Sequence, residues 1–405
     1  MVEGKDDEGG TRMSQAGEPG AEAAVVSPDM GLAATEFAPV SRRNGRSAGG
    51  LAANGSASYA NRRGDADRAY AALDLGTNNC RLLVARPSPS GFRVIDAFSR
   101  IIRLGEGVAA SRQLSEEAIE RTIEALKVCA TKMRRHRVER AGLIATEACR
   151  LADNATQFLS RVRAETDLDI KVVSSEAEAR LAVSGCASLI DTSCELVLVF
   201  DIGGGSSELI WLDLSRHRSN GAQPDRLEAQ GCITAWTSLP AGVVTLAERY
   251  GGRFVDADIF EAMVSHVAAL LLPFESGNRL RQQMAGRRTQ LLGTSGTVTT
   301  LAGVHLDLPR YDRSQVDGYW LDVDQVRAVT ARLLASSHAQ RVAQPCIGKE
   351  RADLVLAGCA ILEAVLRTWP CERLRVADRG LREGMLVQMM REDGVWEGRA
   401  SDALT

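Results

Sequence analysis

Phe200-Asp201-Ile202-Gly203-Gly204-Gly205-Ser206-Ser207-Glu208-Leu209-Ile210 is the stretch on which the reading of this chain turns. It lies between two short, turn-bounded apolar runs, Leu196–Phe200 and Leu209–Leu212, which read as β-strands. Three successive glycines let the backbone approach a ligand with no Cβ in the way. Consecutive N–H groups in such a turn form a concave anion site, and Ser206 and Ser207 add hydroxyl donors. Asp201 and Glu208 would repel a bare phosphate, but a hard cation such as Mg²⁺ between them and the phosphate oxygens removes that conflict.

The same grammar occurs earlier, in Ala71-Ala72-Leu73-Asp74-Leu75-Gly76-Thr77-Asn78-Asn79-Cys80-Arg81-Leu82: strand, Asp, one apolar residue, Gly, polar turn, strand. Asp201 follows Asp74 by 127 positions (201 − 74), the size of one lobe of a duplicated α/β fold. A third element, Leu291-Leu292-Gly293-Thr294-Ser295-Gly296-Thr297-Val298, reads as a strand end, a polar loop and a helix start, a place that favours phosphate. It lacks the Gly-Lys-Ser/Thr ending of a P-loop. One Asp-x-Gly hairpin alone is a common tight turn; two in matching strand context plus the third loop point to a phosphate cleft.

These three loops resemble the two phosphate motifs and the adenosine motif of the actin, sugar kinase and heat-shock chaperone ATPase superfamily. Asp74-Leu75-Gly76-Thr77-Asn78-Asn79, Asp201-Ile202-Gly203-Gly204-Gly205-Ser206-Ser207-Glu208 and Gly293-Thr294-Ser295-Gly296-Thr297 are most similar to the exopolyphosphatase / guanosine pentaphosphate phosphohydrolase family. The resemblance runs from about Tyr70 to about Met390. It implies an α/β fold of two ribonuclease-H-like lobes with the active site in the cleft between them. The lobes are expected over 69–178, joined by a C-terminal helix over 380–395, and over 179–379. Val376-Ala377-Asp378-Arg379-Gly380-Leu381-Arg382-Glu383-Gly384 resembles the family's closing motif, a turn into that helix. With no His-Asp dipeptide, the chain resembles the short form of the family.

The resemblance also implies roles for residues that are ordinary by themselves. In Thr146-Glu147-Ala148-Cys149-Arg150-Leu151-Ala152-Asp153-Asn154, it makes Arg150 a phosphate ligand, which suits a planar fork that stays charged, with Asn154 beside it. Cys149, without a local His, reads as packing. Glu178-Ala179-Arg180 matches the segment carrying the family's water-activating glutamate, and Glu176 is the fallback. Against this stands a local reading: Ser175 and Glu178 have capping-box spacing, so Glu178 could merely satisfy a backbone N–H. On the catalytic reading, Gly76, Thr77, Asn78, Gly203, Gly204, Gly205, Ser206, Ser207 and the loop Gly293–Thr297 hold phosphate. Asp74, Asp201 and Glu208 then position Mg²⁺ or another divalent cation. The expected substrates are inorganic polyphosphate or guanosine pentaphosphate. The competitors are an ATPase or phosphotransferase of the superfamily and a catalytically weak guanosine penta/tetraphosphate sensor.

Composition sets the frame. With 405 residues, 45% of them hydrophobic, the chain can bury the cores of two domains. A net charge of −3 provides no global basic field for nucleic acid or a membrane surface. The nine cysteines are scattered without metal-ligand spacing, which suits reduced thiols in the cytoplasm. No apolar stretch is read as approaching the ~20 residues of a membrane span. Residues 1–68, rich in Gly, Ala, Ser and charge, are expected to be a disordered tail, and Ser215–Arg226 a polar loop. Ser115 is expected to open an amphipathic helix whose apolar face carries Ile119, Ile123, Leu126, Ala130 and Met133. A homodimer is consistent with the family.

Overall fold

The computed structural model describes residues 67–89, 91–215 and 229–396, together with the two-residue strand β1 (Ala24–Val25). The expected tail over 1–68 and the polar loop Ser215–Arg226 fall almost wholly outside these residues.

Two sheets organise the chain. The first contains β2 (Tyr70–Leu75), β3 (Asn79–Ser88), β4 (Gly91–Ile101), β5 (Arg140–Ala145) and β6 (Lys171–Val172), in the order β4-β3-β2-β5-β6. β2, β3 and β4 form an antiparallel meander, and β5 and β6 run parallel to β2. The second sheet repeats this plan with β7 (Leu196–Ile202), β8 (Ser207–Asp213), β9 (Ile233–Leu239), β10 (Thr289–Thr294) and β12 (Arg373–Ala377), in the order β9-β8-β7-β10-β12. β1 is added at one edge and β11 (Trp320–Asp322) at the other. Both sheets thus place their five common strands in the order third, second, first, fourth, fifth. These are the two ribonuclease-H-like, actin-like lobes that the duplicated hairpins imply.

Helices cover both sheets. In the first lobe, α1 (Glu116–Arg135) is capped by the Ser115 hydroxyl and buries Ile119, Ile123, Leu126, Ala130 and Met133. With α2 (Glu147–Leu151) and α3 (Ala155–Thr166), it closes one face of the sheet. The other face takes α10 (Leu381–Glu392), whose Met385, Leu386, Met389 and Met390 pack on Tyr70, Ala72, Leu83 and Ile144. α4 (Ser175–Cys186) runs unbroken across position 178 and serves both lobes. Leu181 joins the cluster against the first sheet, while Val183 and Cys186 join the one against the second.

The second lobe is completed by α5 (Val243–Tyr250), α6 (Ala257–Asn278), α7 (Gly296–His305), α8 (Val323–Ala335) and α9 (Val355–Thr368). α6 corrects one sequence expectation: by length and composition its 22 residues could cross a membrane. Its Phe260, Met263, Val264, Val267, Leu271 and Phe274 are buried in the core of this lobe.

Candidate active site

Each hairpin is aimed into the interlobe cleft by its strand pair. Asp74 and Asp201 are the penultimate residues of β2 and β7, so both carboxylates reach the same cavity. It is lined by Gly76, Thr77 and Asn78 from one lobe and Gly203, Gly204, Gly205 and Ser206 from the other, with Glu178, Thr294 and Ser295 between them. A second opening continues past Ser295, Gly296 and Thr297.

The loops touch across the cleft. A Cβ on Gly204 would stand 3.0 Å from Thr77 Cβ and 3.2 Å from Asn78 N, and one on Gly205 2.7 Å from Thr77 Oγ1. The glycines of the second hairpin are therefore required for the two lobes to meet. Each loop is also braced from behind. Thr77 O accepts from Gly105 N, and Asn78 O from Ile102 N and Arg103 N. Gly203 O and Gly204 O accept from Val243 N and Val244 N at the start of α5. Ser295 holds a left-handed φ of 78°, a strained value for a residue with a side chain, and its hydroxyl bonds to Asp201.

The carboxylates form an interacting group. Burial pushes Asp201 up to about 6, with Arg81 opposing and Asp74 adding to the rise. Burial and the charge of Asp201 push Glu208 up to about 7, against hydrogen bonds from Ser206 (2.6 Å) and Ser238 (2.9 Å). Asp74 is also raised by burial, with Arg81 and Arg382 opposing. Glu178 is held well above the usual carboxylate range by burial and by the charge of Glu208, while Arg150 works in the other direction.

Glu178 is not a cap. The N-cap of α4 is Ser174, whose hydroxyl accepts from Ala177 N, and the Glu178 carboxylate instead receives Arg150 Nη1 at 2.8 Å. The fallback Glu176 pairs with Arg180 outside the cleft lining.

Other expected ligands are placed elsewhere. Arg150 lies behind the wall, with its guanidinium held by Glu147, Glu178 and Val173 O. Asn154 is not brought to the cleft: its amide donates to Leu114 O and accepts from Leu114 N, clamping two loops. Ser207 is buried and donates to Ala241 O. Gly293 faces Phe200 and Val298, where it provides packing room. Among the described residues, no three His, Cys, Asp or Glu converge as a metal centre, and Glu208 faces Ser206 and Ser238. Asp74 and Asp201 nevertheless offer two hard oxygen ligands in one cleft. That set fits Mg²⁺, which is commonly held by one or two carboxylates, waters and phosphate oxygens.

Sequence reasoning passed over Arg81, Glu147 and Arg382, all of which line the cleft. Arg81 had a signal, a lone cation within the apolar run Cys80–Val84, directly opposite Asp74 in the sheet register. Arg382 had only its place in the closing motif.

Two actin-like lobes that close glycine hairpins over buried carboxylates define a phosphate-cleft protein. The chain belongs to the Ppx/GppA phosphatase family, whose model matches residues 83–393. It is 29% identical over 322 residues to a guanosine-5'-triphosphate,3'-diphosphate pyrophosphatase of Photobacterium profundum, covering 79% of this chain and 59% of that relative. It is also similar to the crystal structure of a Ppx/GppA family member from Aquifex aeolicus, at 28% identity and a TM-score of 0.64, covering 80% of this chain and 98% of the other. An exopolyphosphatase from Cytophaga hutchinsonii shares the fold, with a TM-score of 0.70 at 24% identity over 80% of this chain and 98% of that one.

Proposed function

We propose that this protein is a phosphohydrolase that releases terminal orthophosphate from a linear phosphoanhydride, either inorganic polyphosphate or guanosine pentaphosphate. The observation that carries the reading is the position of Glu178: a cleft-lining carboxylate, free of capping duty, beside both glycine hairpins. Phosphoryl transfer requires mainly positioning and charge neutralisation. Backbone donors of Gly76–Asn78 and Gly203–Ser206 hold the terminal phosphoryl group. Glu178 accepts a proton from the attacking water as the water oxygen bonds to phosphorus and the bridging P–O bond breaks. Arg150, fixed by Glu147, orients the Glu178 carboxylate. Asp74 and Asp201 would hold a divalent cation, which supplies charge neutralisation on the phosphate oxygens. The nine cysteines are all free thiols, which supports a reducing, cytoplasmic setting.

The test is orthophosphate release with Mg²⁺ from long-chain polyphosphate, guanosine pentaphosphate and ATP. Release from either of the first two is expected. Turnover of ATP alone would replace this reading with an ATPase, and no turnover combined with tight guanosine tetraphosphate binding would replace it with a sensor.

A further inference from the structure

Arg382 lines the cleft from the first turn of α10, yet it makes no hydrogen bond or ion pair with any described residue. Three other arginines nearby are engaged. Arg379 is held by Asp317 and Ser188, Arg150 by Glu147, Glu178 and Val173 O, and Arg351 by Thr300. The neighbouring acid is committed elsewhere: Glu383 accepts from Gly380 N at 3.0 Å and from Arg313 at 2.8 Å. Arg81, also without such a partner, adds a second positive charge close by. The guanidinium nitrogens of Arg382 are not among the buried, unpartnered atoms, so its five donors in a fixed plane stay open to the cleft, where their fork matches the oxygens of a phosphate.

The helix that carries Arg382 is rigidly seated. A Cβ on Gly384 would lie 1.9 Å from Leu181 O, and one on Gly185 would lie 1.9 Å from Gly380 O. α10 therefore crosses α4, the helix of Glu178, with backbone against backbone. Burial and the charge of Arg81 both press Arg382 toward losing its proton, while Glu383, Asp74 and Asp378 oppose that. An arriving phosphate would relieve this pressure.

We infer that Arg382 is a direct ligand of the phosphoryl group held between the two hairpins, so that the C-terminal helix contributes a residue to the site. This rests on the phosphate-cleft reading above but does not depend on turnover. The experiment is a ³¹P NMR titration of orthophosphate, with Mg²⁺, into the wild type, Arg382→Lys and Arg382→Gln, with thermal melting to check folding. Arg382→Gln is expected to weaken binding roughly ten- to hundredfold, and Arg382→Lys, which keeps the charge but loses the fork, by less. Should Arg382→Gln fail to fold, phenylglyoxal labelling of the wild type decides the matter, with phosphate expected to protect the peptide containing Arg382. Unchanged affinity in a folded Arg382→Gln protein, or equal labelling with and without bound phosphate, overturns the inference. A wild type that binds no phosphate removes the cleft reading and this inference together. Arginine-dependent binding without turnover of any substrate removes only the hydrolase reading.

Discussion

The two hairpins share a backbone plan but carry opposite charge partners. In the first, Asp74 lies opposite Arg81 in the sheet register; in the second, Asp201 lies opposite Glu208. One hairpin thus pairs its carboxylate with a cation and the other with a second carboxylate, and of these four side chains only Glu208 stays out of the cleft lining. The glycines differ as well. A Cβ on Gly76 would meet nothing closer than 3.5 Å, whereas Gly204 and Gly205 press on Thr77 and Asn78 of the other lobe. The two hairpins share the turn between paired strands and differ in the charges they carry.

The largest expected effect that sharpens this contrast is steric. Gly204→Ala pushes the hairpins apart and is expected to lower kcat/KM by about a hundredfold, the scale of an ångström-level misplacement of reacting groups. Gly76→Ala is expected to leave the melting temperature near that of the wild type. A melting temperature lowered as far by Gly76→Ala as by Gly204→Ala would mean that the two loops are sterically equivalent.

The next effect is electrostatic. Asp201 and Glu208 titrate above their ordinary values in the folded chain, near about 6 and about 7. Their contribution to stability is therefore full below the unfolded pKa, about 4, and is lost as pH rises through those folded values. The ligand-free protein is expected to melt at lower temperature at pH 8 than at pH 5. Glu208→Gln should flatten that slope more than Asp74→Asn, because Arg81 and Arg382 already offset Asp74. Mg²⁺ is expected to restore stability most at the alkaline end. A slope unaltered in Glu208→Gln would remove the carboxylate pair from the explanation.

Local clamps give the smallest effect. Asn154→Ala removes two hydrogen bonds to Leu114, of 2.9 and 3.0 Å, and is expected to cost about 1–2 kcal/mol in denaturant unfolding with KM unchanged. A raised KM at unchanged stability would return Asn154 to the phosphate site.

The repeated hairpins made the fold legible, because short apolar strands around Asp-x-Gly turns fix both register and direction. Periodicity placed α1, down to its Ser115 cap and buried face. The site was legible wherever loop backbone forms it, as at Thr77, Gly204 and Ser295. It was not legible where a side chain has to choose between partners far away in sequence. Arg150 satisfies Glu147 and Glu178 from behind the wall, Asn154 closes on Leu114, and Arg382 arrives from the end of the chain. Spacing says nothing about such choices. The capping question at Glu178 was likewise settled by one residue of helix register, with Ser174 rather than Ser175 at the cap.

The most direct measurement is orthophosphate release by Glu178→Gln beside the wild type, on whichever phosphoanhydride the wild type cleaves, with binding of the uncleaved chain measured in parallel. Turnover is expected to fall by roughly a thousandfold or more, in the upper range for losing a general base, while binding stays within a few fold. Near-wild-type release from the variant would contradict the assignment of Glu178 as the residue that activates water.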